Sequence, residues 1–440
     1  MVTTQRIALA VGLLFGCTPT SEDTAQDSGQ SYVSQLTGDL LIVSQVADAS
    51  VLFADFESGD VLGEFCLSDL VQEECNGEIG FTCLAFEVGY RGGEDDRIQL
   101  AYAQRNPEVD GQPSTLLEIA MTEERVVEGR LNRLSFEQYL PTIYDGICSE
   151  EGVDDARCLM SMAHMYTPVP GSDLWAVADT RSARILFGEA DFSSGLFEAV
   201  AVLDGTHPDW EGMVWVNNID LFWENNRLYM INSFKGGGPL PDTSRNAGRI
   251  ALWDVTDLSA IEKKWVYPAE GYVAAPHKAT RVDLRGESIL LYAHSLGASD
   301  SFEGVQSGSV GLARFSTEEV PTYLGDWVLQ DQEAHMGFLR DVELMSDGER
   351  FLVTDSGCET LNAKCEESEE IFTMHVPSLP EPSGKQGSFS SSHDQQDFYP
   401  AELERWDILP MVRFPYEADL VPWEGLSDFQ VNHKLGACPP

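Results

Sequence analysis

Two distant segments of this chain spell the same succession of elements, and no other feature narrows its fold as far. Asp39-Leu-Leu-Ile-Val-Ser is followed by Ala49-Ser-Val-Leu-Phe-Ala-Asp-Phe-Glu-Ser-Gly59, and Asp173-Leu-Trp-Ala-Val-Ala-Asp by Ala183-Arg-Ile-Leu-Phe and Asp191-Phe-Ser-Ser-Gly195. Each reads as an apolar strand, a polar turn, a second strand and an Asp-Phe-x-Ser-Gly turn into a third, which is a β-meander. The pattern returns at Arg227-Leu-Tyr-Met-Ile-Asn with Gly248-Arg-Ile-Ala-Leu-Trp-Asp, and at Ser288-Ile-Leu-Leu-Tyr-Ala with Gly308-Ser-Val-Gly-Leu-Ala-Arg-Phe. It appears again at Asp347-Gly-Glu-Arg-Phe-Leu-Val-Thr-Asp with Glu370-Ile-Phe-Thr-Met, and a diverged copy fits Arg97-Ile-Gln-Leu-Ala-Tyr-Ala with Thr115-Leu-Leu-Glu-Ile.

A repeat of roughly 50 to 70 residues, about four strands long and without a convincing amphipathic helix between copies, predicts an all-β fold, a β-propeller of four-stranded antiparallel blades. A β-sandwich pair fits less well, because the repeated unit is one blade. Six blades starting near residues 39, 80, 158, 212, 277 and 335 fit best, and the diverged copy leaves seven open. Arg405 to Cys438, with Trp406, Ile408, Leu409, Met411 and Phe414, is apolar enough to close the ring, whereas Ser383 to Asp397 is Ser-, Gly- and Gln-rich and reads as an exposed loop.

The chain of 440 residues holds 27 Lys and Arg against 73 Asp and Glu, a formal charge of −46. Such a surface repels nucleic acid, so DNA or RNA is not an expected partner. At the amino end, Arg6 and the apolar run Ile7 to Phe15 lead into Leu14-Phe15-Gly16-Cys17, which resembles a bacterial lipoprotein signal. The resemblance implies a signal peptide over 1–16 and lipidation at Cys17, while the polar, acidic composition of 17–36 reads as a flexible tether and the repeats beyond it as a single propeller domain over 37–440. Thr18, where inner-membrane retention usually requires Asp, implies the outer membrane, with the body on the periplasmic or cell-surface side. A monomer anchored to the membrane by lipid is expected.

Beyond Cys17 the chain has eight cysteines, an even number that implies disulfides in an exported protein. Cys148 with Cys158 and Cys358 with Cys365 are close enough in sequence to staple loops. Cys66, Cys75, Cys83 and Cys438 leave three pairings open. No CxxC pair is present to suggest zinc.

The innermost strand of each blade lines a propeller's tunnel, so the starts of those strands are the natural place for a site. His277-Lys-Ala-Thr-Arg281 and His335-Met-Gly-Phe-Leu-Arg340 each set an Arg four or five residues after a His, ahead of the apolar entry into the blade. Other blades carry His164 and Asn217-Asn218 at the matching place. His164, Asn217, Arg281 and Arg340 are therefore the candidate ligand-binding residues, and His277 and His335 the candidate catalytic ones. Converging, they would make a donor-rich pocket for sulfate, phosphate or carboxylate; alternatively they hydrogen-bond blade backbones or balance Asp283 and Asp341.

At Asp209-Trp210 with Val216-Asn217-Asn-Ile-Asp220, at Asp341-Val-Glu-Leu-Met-Ser-Asp-Gly348 running to Val353-Thr-Asp355-Ser-Gly357, and at Gly248-Arg-Ile with Lys264-Trp265, the chain distantly resembles bacterial arylsulfotransferase-like propellers. The resemblance implies a tunnel histidine that accepts a sulfuryl group, held by other His, Asn and Arg residues. Trp215 stands where the family has a histidine, and Arg340 where it often does.

Three readings follow. The first is a binding lipoprotein whose tunnel mouth takes a small anionic or glycan ligand or a protein partner, without a cofactor. The second is a sulfuryl-transfer enzyme. The third is a lactonase-like hydrolase with a tunnel cation such as calcium on Asn217, Asn218 and Asp341. Gly-x-Ser-x-Gly, His-Glu-x-x-His and P-loop motifs are all missing.

Overall fold

The computed structural model describes residues 33–34, 39–45, 50–66, 83–84, 99–100, 103–104, 116–121, 126–132, 163–180, 183–191, 196–210, 213–236, 247–274, 276–294, 308–329, 339–356, 370–387, 397–405, 408–409, 415–421 and 429–431. Among them there is no helix. All belong to the compact unit Ser31–Pro440.

In chain order the strands begin with β1 (Val33–Ser34), β2 (Leu40–Gln45), β3 (Ser50–Asp55) and β4 (Val61–Cys66), then β5 (Cys83–Leu84), β6 (Gln99–Leu100), β7 (Ala103–Gln104), β8 (Leu116–Met121) and β9 (Val126–Asn132). The following blade is β10 (Ala163–Pro168), β11 (Leu174–Asp179), β12 (Arg184–Asp191) and β13 (Leu196–Leu203). Next comes β14 (Val214–Glu224), β15 (Arg227–Gly236), β16 (Ala247–Asp254) and β17 (Glu262–Tyr267), with the short β18 (Val273–Ala274) beside β16. Two more blades are β19 (Pro276–Leu284), β20 (Glu287–His294), β21 (Ser309–Arg314) and β22 (Thr322–Leu329), and β23 (Leu339–Leu344), β24 (Arg350–Asp355), β25 (Glu370–His375) and β26 (Phe398–Arg405). The chain closes with β27 (Pro415–Val421) and β28 (Phe429–Val431).

Within each regular blade the strands pair antiparallel in chain order, and the first strand of one blade packs on the first strand of the next: β10 on β14, β14 on β19, β19 on β23, β23 on β27. This is a β-propeller, as the repeats predict. The sheet β1-β28-β9-β8-β6 and the two-stranded sheet β5-β7 are less regular; β28 contacts β4 and β7 contacts β10, at the edges of the neighbouring blades.

Middle strands such as β11 and β24 are apolar without alternation because both of their faces are buried between blades. Ala176, Val177 and Ala178, like Phe351 and Val353, have no solvent exposure. One core joins two blades across Trp210, Phe234 and Trp253, with the Trp210 ring 5.5 Å from Phe234 and 5.9 Å from Trp253. On the outer edge β22 and β26 pair in parallel, fusing two blades into one eight-stranded sheet, with Tyr399 tilted on Trp327 at 5.3 Å. Gly325 is required there, since a Cβ would fall 2.5 Å from the Tyr399 ring.

One blade boundary differs from expectation. The repeat places a blade start near residue 39, but Leu40–Gln45 is a second strand. The innermost strand of that blade is β27, which pairs with β2 from Leu40↔Val421 to Gln45↔Pro415. The terminal segment does close the ring, and Ile408 and Leu409 bury against β2 and β3 as part of one core. Of the exposed loop expected over 383–397, residues 383–387 and 397 are described, and Lys385 Nζ ties back to Asp397 Oδ1 at 2.6 Å. Cys17, Cys148, Cys158, Cys358, Cys365 and His335 lie outside the described residues.

Candidate functional site

Among the described residues, the inner strands of the five regular blades, β10, β14, β19, β23 and β27, share an irregularity that sets the geometry of the tunnel. Each carries one residue more than its partner strand near its start: between Ala163 and Met165, Val216 and Asn218, Pro276 and Ala279, Leu339 and Asp341, and Pro415 and Glu417. The inserted residues are His164, Asn217, one of His277-Lys278, Arg340 and Tyr416. A β-bulge increases local twist and re-aims a side chain. Four of the sequence-predicted residues, His164, Asn217, His277 and Arg340, therefore occupy one structural level. The side chain of His164 is not described.

At this level His277, Arg340 and Asn217 do come together. All three are buried, at 1, 4 and 1% exposure. Arg340 Nη1 lies 3.2 Å from His277 Nε2, and Arg340 Nε donates to Ser356 Oγ at 2.9 Å. The Asn217 Nδ2 amide donates to the His277 carbonyl at 2.8 Å, and Ser233 Oγ donates to the same oxygen at 3.1 Å. Arg281 stands apart. Its guanidinium reaches Ser288 Oγ and Asp283 Oδ1 at 3.0 and 2.8 Å and lies 5.7 Å over the Phe222 ring. Trp215, just before the Asn217 bulge, has φ 58°.

Below the bulges, side chains of one inner strand clamp the backbone of the next. One residue past the bulge, Asn218 Oδ1 accepts from Ala279 N at 3.1 Å and Asp341 Oδ2 from Ala418 N at 3.3 Å. Three residues past it, Asp220 Oδ2 accepts from Arg281 N and Glu343 Oε2 from Leu420 N, each at 3.1 Å. The two blade junctions thus use the same positions. Between the clamped amides lie Thr280 on β19 and Asp419 on β27, both of which face the tunnel cavity.

That cavity measures about 440 Å³ and is walled by all five inner strands. Its polar ring is the level three residues past the bulge: Thr167, Asp220, Thr280, Glu343 and Asp419. Asn218 and Lys278 lie one turn of the pleat above, and Val282, Val342 and Leu344 supply apolar wall. His277, Arg340 and Asn217 do not line this cavity. Its wall is acidic, not the cationic pocket the His and Arg spacing suggests, because the strands turn their first cationic level into the blade junctions.

Lys278 Nζ is ion-paired to Asp341 Oδ1 at 2.9 Å. Burial raises the pKa of Asp220, against the opposing pull of the Thr280 hydroxyl at 2.7 Å. Burial also pushes Asp419 well above the usual carboxylate range, and the neighbouring Glu343 charge pushes it the same way while Lys278 offsets in part. Asp419 Oδ2 is shut off from solvent with no hydrogen-bond partner. Of the oxygen donors expected for a cation, Asn218 Oδ1 and Asp341 Oδ2 accept from backbone amides and Asp341 Oδ1 pairs with Lys278, while Asn217 donates through Nδ2 to a carbonyl. Among the described residues no three His, Cys, Asp or Glu side chains group as metal ligands do. Asp220, Lys278, Glu343 and Asp419 escaped notice as a set in the sequence; the signal for them is the fixed offset from each bulge.

No protein-family model matches the chain, and no curated protein does. Among solved structures it is similar to a putative 6-phosphogluconolactonase from Bacteroides fragilis, at 9% identity and TM-score 0.48 over 88% of this chain and 99% of that one. It is also similar to the periplasmic gluconolactonase of Pseudomonas aeruginosa, at 10% identity and TM-score 0.41 over 87% and 99%. A hypothetical selenium-binding protein from Sulfolobus tokodaii matches at 14% identity and TM-score 0.41 over 91% and 97%.

Proposed function

We propose that this protein binds a small hydroxyl-rich molecule of sugar type in the tunnel cavity, and that opening a sugar lactone is the reaction its carboxyls suit. One observation carries the reading: Thr167, Asp220, Thr280, Glu343 and Asp419 ring a cavity of about 440 Å³ flanked by apolar wall. Carboxylates accept hydroxyl hydrogen bonds in pairs, threonines both give and accept them, and valine and leucine surfaces suit the C–H faces of a sugar ring.

For a lactone, Glu343 takes the proton of a water attacking the ring carbonyl. Asp419, whose pKa burial raises well above the usual carboxylate range, donates to the ring oxygen as the acyl C–O bond breaks. The products are the hydroxy acid, with the ring oxygen now a hydroxyl, and a protein whose proton balance is restored by exchange between the two carboxyls. Sulfuryl transfer is less suited to this arrangement. His277 Nε2 faces the Arg340 guanidinium, so the proposed nucleophile must first give up that contact.

We further place the body outside the cell's inner membrane, tethered through Cys17, on the strength of the Leu14-Phe15-Gly16-Cys17 signal. The test is calorimetric titration with neutral sugars, sugar acids and aldonolactones, alongside acid release from the lactones. Saturable binding lost in Asp220→Asn supports the reading. Lactone opening that is lost in Glu343→Gln while binding persists supports hydrolysis. A folded protein that binds none of these ligands rejects both.

A further inference from the structure

We infer that the ligand of the tunnel carries a protonated amine, seated on Asp419 with Glu343 beside it, so that the site prefers an amino sugar to its neutral parent. The inference rests on the sugar-binding reading and adds the charge the sugar bears.

Among the described residues, the cavity wall holds Asp220, Glu343 and Asp419 and a single cation, Lys278. That lysine is engaged with Asp341 at 2.9 Å. Glu343 and Asp220 each have an oxygen committed to a neighbouring backbone amide. Asp419 differs, since its Oδ2 is shielded from water and accepts nothing. A buried acceptor without a donor is an unmet demand. A hydroxyl would meet it with one donor and no charge, whereas an ammonium brings three donors and the positive charge the surrounding carboxyls lack.

The groups acting on Asp419 are Glu343 and Asp341 from β23 and Lys278 from β19. Two of the three are acidic, and with burial they raise the pKa of Asp419. An arriving ammonium reverses that balance, Asp419 ionises and one proton leaves. Asp220 and Glu343 provide further charged acceptors for the same ligand, and an acidic sugar meets repulsion from the same set.

Glucose, glucosamine and glucuronic acid test the charge series on the wild-type protein at neutral pH, with calcium chloride as a fourth titrant. Glucosamine should bind at least tenfold more tightly than glucose, glucuronic acid should give no heat, and the glucosamine heat should change with buffer ionisation enthalpy as a proton is released. Asp419→Asn should bring glucosamine to the affinity that the same variant shows for glucose. Equal binding of glucose and glucosamine by the wild type overturns the inference and leaves the sugar reading standing. Calcium that displaces glucosamine from Asp419 overturns it in favour of a metal, and a folded protein that binds no sugar of any charge overturns both readings. The wild-type series decides the matter even if the variant fails to fold.

Discussion

Arg340 Nη1 lies 3.2 Å from His277 Nε2 across the junction of two blades, and this contact fixes the state of the imidazole. A guanidinium only donates, so Nε2 accepts and the proton of the neutral ring resides on Nδ1. The pair is a junction between blades, since neither residue lines the tunnel cavity.

Arg340→Ala should therefore cost about 1.5–3 kcal/mol of stability, the range for lost charge-assisted hydrogen bonds. Urea unfolding measures this, and sugar affinity measured on the same folded variant should stay within twofold of wild type. Lost affinity at unchanged stability would return Arg340 to the binding residues.

Arg281→Ala should behave differently. Its partner Asp283 is 64% exposed and its own side chain 23%, so a screened surface pair is lost, for less than about 1 kcal/mol. A thermal melt in low and high salt should show the small difference shrinking with salt.

Asp179 and Arg184 form a buried pair within one hairpin, with Arg184 Nε and Nη2 both 2.9 Å from Asp179 Oδ2. Arg184→Met removes the cation that faces a fully buried carboxylate and should cost about 3–5 kcal/mol. The double variant Asp179→Leu with Arg184→Met should recover much of that loss in denaturant unfolding. A double variant as unstable as the single would place the energy elsewhere.

Asp419→Asn should become increasingly more stable than wild type as pH rises. The folded protein holds the Asp419 proton to higher pH than the unfolded chain does. The stability this confers is complete below the ordinary carboxylate pKa of about 3.9 and is lost as pH rises through the elevated folded value. Asparagine has no such loss. Melting temperatures of the two proteins from pH 4 to 8 should diverge upward, and parallel curves would show the carboxyl to be unperturbed.

Gly311→Ala should cost about 1–3 kcal/mol by overpacking. A Cβ there would sit 2.1 Å from the Tyr292 ring on the neighbouring strand, and that ring is fully buried among Tyr267 and other core residues. Melts of the variant check the loss directly.

The repeat made β2, β3, β11, β12 and their counterparts legible because strands buried on both faces must be apolar throughout, and tight turns must carry Asp, Ser and Gly. The inner strands were legible through His277 and Arg340, which mark the bulge level. What stayed hidden was orientation. A bulge shifts every later side chain by one place, so composition alone does not tell which of Arg281, Lys278 or Asp220 meets the cavity. Pairing between Leu40 and Val421 was equally opaque as register, since nothing local in either strand specifies a partner at the far end of the chain.

The closing strand has one more consequence. β27 supplies both the inner strand paired with β2 and Asp419, so the tunnel gains this side of its wall only after β27 has docked. A chain interrupted before residue 415 would lack the inner edge for β2 and one side of the cavity together.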